Sequence, residues 1–149
     1  MILIRKTERE DFEVLFNLIC SLAEYEKLKV PDDLAKKRLL EDGFGSSPKY
    51  ISYLVYYDSK PVGYAITFET YSSFLAKPTF YLEDIFVLEQ FRNKKIGFSF
   101  FSYLIDIAKN NDCGRFEFIV LDWNLNAIKF YEKFGAIHQE EWLNYRITF

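Results

Sequence analysis

Two hydrophobic periods divide this chain. Phe12, Leu15, Phe16, Ile19 and Leu22 recur at helical spacing, and predict an amphipathic helix ending near Tyr25-Glu26-Lys27. Thr7-Glu8-Arg9-Glu10 ahead of it has the form of a capping box. Pro31, Asp32 and Asp33 suit the start of a second helix, which stops around Glu41-Asp42-Gly43. Phe100, Phe101, Leu104, Ile105 and Ala108 mark a third. Ala127, Ile128, Tyr131 and Phe134 mark a short fourth over 125–134, with Asn124 as N-cap and Gly135 at C′. Between the helices lie runs rich in β-branched and aromatic residues: 2–5, 50–57, 62–71, 81–88 and 116–121. A closing hairpin is expected from 136–139 and 142–149. The order β-α-α-β-β-β-α-β-α-β-β predicts an α/β (α+β) fold, with a mixed, mainly antiparallel sheet flanked by helices on both faces.

Composition narrows the class. The chain has 149 residues, half of them apolar, which fits one domain over 1–149 and excludes disorder. The net charge of −3 speaks against a nucleic-acid partner. The longest apolar stretch ends at Asp106, so no membrane span is expected, and Arg5, Lys6 and Arg9 break any signal-peptide pattern. Two cysteines, Cys20 and Cys113, without a secretory mark point to a reducing cytoplasm. No Cys/His cluster has metal-ligand spacing, and His138 is the only histidine, so no metal is expected.

The candidate chemistry lies in one stretch, YLEDIFVLEQFRNKKIGFSFFSYLIDIAK, residues 81–109. It reads as a buried strand carrying Glu83 and Asp84, a basic loop with Arg92, Lys94 and Lys95, and a helix. A helix N-terminus exposes unpaired N–H groups and can hold a phosphate. No G-x-G-x-x-G or Walker motif is present.

The loop Arg92-Asn93-Lys94-Lys95-Ile96-Gly97 resembles the R/Q-x-x-G-x-G/A loop of the GNAT superfamily of N-acetyltransferases. The likeness extends over LAEYE (22–26), LLEDGFG (39–45), YLEDIFV (81–87), DWNLNAIKFYEKFGA (122–136) and EEW (140–142). These segments are most similar to the spermidine/spermine (diamine) acetyltransferase branch. The resemblance implies acetyl-CoA as co-substrate and direct transfer to a primary amine in a ternary complex. Ile85, Phe86 and Val87 would meet the pantetheine arm. Arg92, Asn93, Lys94, Lys95, Ile96, Gly97 and Phe98 would hold the phosphates, with Asn124, Ala127 and Tyr131 as further coenzyme contacts. Tyr131 would be the general acid and Glu83 the acceptor of the amine proton. Tyr25, Glu26, Glu83, Asp84, Glu140 and Glu141 would bind the cationic substrate. A homodimer is also implied.

Each residue has a plainer reading. Glu83 fits an exposed strand position, Tyr131 fits the apolar face of its helix, and the loop cations fit a solvated turn. The chain also departs from the pattern. Lys95 stands where the loop's first glycine belongs; a positive φ there would cost roughly 1–2 kcal/mol. The polyamine enzymes place an acid and a tryptophan where this chain has Ser72-Ser73-Phe74. A polyamine, a diamine, and lysine or thialysine as in a sister group of the branch therefore all stay open. A site walled by Tyr25, Glu26 and Phe74 would favour such small amines over a protein or peptide substrate. A non-catalytic acyl-CoA sensor would need the loop but neither Glu83 nor Tyr131.

Overall fold

The computed structural model describes Met1–Phe149, in two compact units, Met1–Phe118 and Ile119–Phe149. The first unit runs β1 (Ile2–Lys6), α1 (Phe12–Tyr25), α2 (Asp33–Phe44), β2 (Ile51–Tyr57), β3 (Lys60–Ser72), β4 (Lys77–Val87), α3 (Ile96–Asn110) and β5 (Arg115–Glu117). The sheet order is β1-β2-β3-β4-β5. All neighbours are antiparallel except β4 and β5, which α3 joins as a parallel pair.

Alternation along the strands fills both faces. On one, Leu54, Tyr64, Ile66 and Phe86 close over Phe12, Leu15 and Leu18 of α1. On the other, α3 buries Phe100, Phe101 and Leu104. There the Phe101 ring lies 5.2 Å from Phe116, and Tyr53 lies 6.0 Å from Tyr103. Each fully buried large side chain contributes about 1.5–3 kcal/mol, so the two layers, rather than helix propensity, hold α1 and α3.

The helix ends differ from expectation in instructive ways. Thr7 stays with the sheet, its N–H donating to the Ser52 carbonyl at 2.9 Å. The start of α1 is organised one residue later: the Glu8 N–H donates to Asp11 Oδ2 at 2.9 Å. Arg5 fixes that carboxylate through two bonds of 2.7 and 2.8 Å. This pairing keeps the Asp11 carboxyl below its usual range. The Asp32 side chain caps α2 by accepting from the Ala35 N–H at 2.9 Å. That helix runs past Gly43 to Phe44. α1 and α3 both close with paired bonds around a left-handed residue, Lys27 (φ 58°) and Asp112 (φ 55°). This is the Schellman arrangement without glycine.

Two expected strands are corrected. The strand over 116–121 is limited to Arg115–Glu117, because pairing with β4 stops at Tyr81, just before β4 becomes irregular. The closing hairpin is not formed by 136–139 and 142–149. Its turn is present, with the Trp142 N–H donating to the Gln139 carbonyl at 3.1 Å. Glu140 and Glu141 have no positive φ, which the tight turns that launch a two-stranded ribbon require.

Taken by itself, the second unit carries α4 (Leu125–Glu132). Asn124 Oδ1 accepts from the Ala127 N–H at 3.3 Å. Past the helix, the Gly135 N–H reaches the Glu132 carbonyl and the Ala136 N–H reaches that of Tyr131, at 3.0 and 3.3 Å. Gly135 has φ +84°, the left-handed residue of this C-cap.

Candidate active site

The site begins with a count along β4. Ile66 of β3 stands opposite Asp84, and the next residue, Thr67, opposite Leu82. Glu83 is the extra residue of a β-bulge. A bulge interrupts the alternation that would send neighbouring side chains to opposite faces. Glu83 and Asp84 consequently line the same cavity, about 330 Å³, with Ile19, Pro31, Leu39, Lys49, Tyr50, Ile66 and Phe68. The Tyr50 hydroxyl donates to the Leu39 carbonyl at 2.6 Å and ties α2 to this wall.

The two acids differ. Glu83 is exposed. Asp84 is largely buried and accepts from the Tyr64 hydroxyl at 3.0 Å. Burial pushes the Asp84 carboxyl up to about 6; the Tyr64 hydrogen bond opposes the rise, while the charges of Glu83 and Glu26 add to it. Burial also raises Glu26. Two carboxylates, Glu83 and Asp84, therefore line the cavity, and the charge of Glu26 acts on Asp84 from nearby, an environment that favours a cation.

Beyond Tyr81, within the first unit, β4 has β3 on one side only. The backbone of Ile85, Phe86 and Val87 is thus an open edge on which an extended ligand can form strand-like hydrogen bonds. Gly63 lets β3 approach this edge closely: a Cβ there would lie 2.3 Å from the Phe86 carbonyl oxygen.

The basic loop leads from this edge to α3. Asn93 and Lys95 are left-handed, with φ 63° and 61°. Left-handed residues in such a turn can direct neighbouring N–H groups toward one concave side, a form that binds anions. The helix adds its own free N–H groups: the Ser99 N–H bonds back to the Lys95 carbonyl at 3.0 Å, and the amides before it face outward along the axis. The loop backbone therefore fits a phosphate chain. Two of its side chains rest on aromatic rings. The Arg92 guanidinium lies 4.5 Å from the centre of the Tyr25 ring and 5.9 Å from that of Phe86, and it donates to the Val87 carbonyl at 3.2 Å. Lys94 lies over Tyr57 and Phe91, 4.9 and 5.5 Å away. Tyr25, expected beside the amine, packs against the Arg92 guanidinium of this loop.

In the second unit Asn124 and Ala127 form the N-cap of α4, and Tyr131 lies near its end, with its ring 5.4 Å from Phe130. Glu140 and Glu141 occupy the exposed turn after it. Phe74 sits at the tip of the β3–β4 hairpin, 97% exposed, and does not wall the cavity. Pro31 and Leu39 do so instead.

This geometry can be set against known proteins. The model of the Acetyltransferase (GNAT) family matches residues 11–136. The chain belongs to the GNAT acetyltransferase family. It is 32% identical to the thialysine N-epsilon-acetyltransferase of Mus musculus, over 96% of this chain and 90% of the relative. Over 86 residues, 58% of this chain and 38% of the relative, it is 45% identical to an L-ornithine N5-acetyltransferase of Arabidopsis thaliana. Among solved structures, a probable acetyltransferase superposes with a TM-score of 0.86 at 21% identity, covering 99% of this chain and 97% of the other. That likeness shows the fold; the family match and the relative from Mus musculus show that the chain is an N-acetyltransferase enzyme.

Sequence reasoning missed Tyr64, Tyr50 and the α1–α2 wall of the cavity. Tyr64 sits in an ordinary strand pattern, and its pairing with Phe86, two residues from Asp84, is what puts the two on one face.

Two outcomes follow from this geometry. Lys95→Gly relieves a left-handed lysine, and urea unfolding should show a gain of roughly 1 kcal/mol. Asp84 has a folded pKa above its unfolded one, so its contribution is fully present below about pH 4 and lost as pH rises through about 6. Asp84→Asn should therefore stabilise the chain by roughly 1–3 kcal/mol at pH 7 and by almost nothing at pH 4. Unfolding midpoints at the two pH values check this.

Proposed function

We propose that this enzyme transfers an acetyl group from acetyl-CoA to a primary amine of a small cationic substrate, by direct attack in a ternary complex. The observation that carries this reading is the bulge, which turns Glu83 and Asp84 into one cavity of small-molecule size. Relatives named for thialysine and for L-ornithine support it: both names describe small amino acids with a side-chain amine. The match of the family model to residues in both units supports reading 1–149 as one domain.

The chemistry requires what these residues offer. An alkyl ammonium of pKa ~10.4 is almost wholly protonated at pH 7 and has no lone pair to attack with. Asp84 and Glu26 hold the cation, and Glu83, the more accessible acid, takes its proton, directly or through water. Acetyl-CoA supplies the acetyl group as a thioester. Ile85, Phe86 and Val87 offer the edge for its pantetheine arm, and the backbone of residues 92–98 the cradle for its phosphates. Tyr131 gives a proton to the departing sulfur, whose thiol pKa is ~8.5, and so prevents reversal. The new N–C bond replaces the C–S bond, and the enzyme forms no covalent intermediate. Asn124 and Ala127 contribute coenzyme contacts, and Glu140 and Glu141 add negative charge for the substrate. The reading places the enzyme in the cytoplasm as a homodimer, without metal, nucleic-acid or membrane partners. No helix is long and apolar enough to cross a membrane.

The test is thiol release from acetyl-CoA with thialysine, L-ornithine, lysine, putrescine-like diamines and spermidine. Short amines bearing one or two charges are expected to turn over. A protein that binds coenzyme A and acetylates none of them sinks the reading. Tyr131→Phe should lower kcat about 100-fold with little change in the amine KM; an unchanged kcat removes Tyr131 as the acid.

A further inference from the structure

The Tyr64 side chain is the least accounted-for group near the acids. It is fully buried, with 0% exposure, in the layer under α1. Its ring packs 6.5 Å from Phe86. Its hydroxyl donates to Asp84 Oδ2 at 3.0 Å. A phenylalanine would fill the same volume without placing a hydroxyl in the core, so packing does not explain the oxygen.

The groups around Asp84 give the hydroxyl a purpose. Glu83 adjoins it on β4 and Glu26 lies just past α1; both charges press it toward protonation. Burial first, then Asp84, Glu26 and, least, Cys20 of α1 resist ionisation of the Tyr64 phenol. Lys49 lines the cavity as the basic member of its wall. A phenol kept neutral can only donate to a carboxylate, and a hydrogen bond to the ionised form favours that form. It also occupies one oxygen and restricts the carboxylate's rotation.

We propose that Tyr64 is a positioning residue of the amine site: its buried hydroxyl holds the Asp84 carboxylate ionised and in one orientation, with Oδ1 presented to the substrate ammonium. This rests on the amine-acetylation reading above. It adds a specificity element, since a fixed carboxylate oxygen selects an ammonium at one distance along the substrate, and so favours one chain length among the small amines.

The experiment uses the full chain with ¹³C-carboxyl-labelled aspartate. The Asp84 signal, assigned by its loss in Asp84→Asn, is titrated in the wild type and in Tyr64→Phe. The midpoint should lie near 6 in the wild type and rise by about one pH unit in the variant, as expected for the loss of one hydrogen bond to a charge. With thialysine as the amine at pH 7, Tyr64→Phe should raise the amine KM about ten-fold and leave kcat within about twofold. The acid limb of kcat/KM should move upward with the carboxyl midpoint. An unmoved midpoint, or a fall in kcat at constant KM, overturns the proposal. A merely structural role for Tyr64 would weaken folding without moving the titration. If Tyr64→Phe does not fold, tyrosine labelled at Cζ and placed at position 64 of the wild-type chain gives the answer: its shift must follow the Asp84 midpoint, and independence of the two overturns the proposal. The titrations need no turnover. A chain that acetylates no amine yet shows the coupled titration would refute the functional reading and leave the Tyr64–Asp84 unit standing.

Discussion

One inserted residue in β4 sets up the rest. Without the bulge at Glu83, a regular strand would send Glu83 and Asp84 to opposite sides of the sheet, one under α1 and the other under α3. With it, both acids face the space between α1, α2 and the sheet. The same irregularity coincides with the end of the β4–β5 ladder, which leaves Ile85, Phe86 and Val87 as an open edge within the first unit. A binding edge and an acidic cavity thus arise from one local departure from pleated geometry. The fold can bear it because Leu54, Tyr64, Ile66 and Phe86 are pinned from above by α1.

The loop between β4 and α3 shows a second division of labour. Two of its cationic side chains are engaged within the protein: Arg92 by Tyr25, Phe86 and the Val87 carbonyl, and Lys94 by two aromatic rings. The backbone beside them is shaped by left-handed residues at 93 and 95 and by the start of α3. Arg92 also links this loop to the end of α1.

The fold was legible because its signals were local and repeated. Helical periodicity located three helices, the start signals Pro31, Asp32 and Asp33 located α2, and β-branched and aromatic runs located the antiparallel meander. Asn124 and Gly135 declared both ends of α4. Features decided by distant partners were hidden. Arg5 moved the start of α1 from Thr7 to Glu8 and Asp11, and Lys27 and Asp112 ended helices in positions where glycine is the usual sign. The candidate site was legible mainly through resemblance. Periodicity could not show that β4 gains a residue, so it could not rank Glu83 against Asp84 or pick out Tyr64. Lys95 was the informative departure: its positive φ shows that the loop keeps its glycine-like shape with a lysine in place.

That last feature changes how the loop's amino-acid spelling should be read. A recognition surface made of peptide groups is a shape that many sequences can adopt, provided each residue tolerates the required dihedral. Replacing a glycine by lysine at such a place is charged to the folding equilibrium rather than to the affinity for the ligand. The order of letters in the loop is then a loose guide to its chemistry. The pair of left-handed residues, visible only in three dimensions, is the more faithful signature.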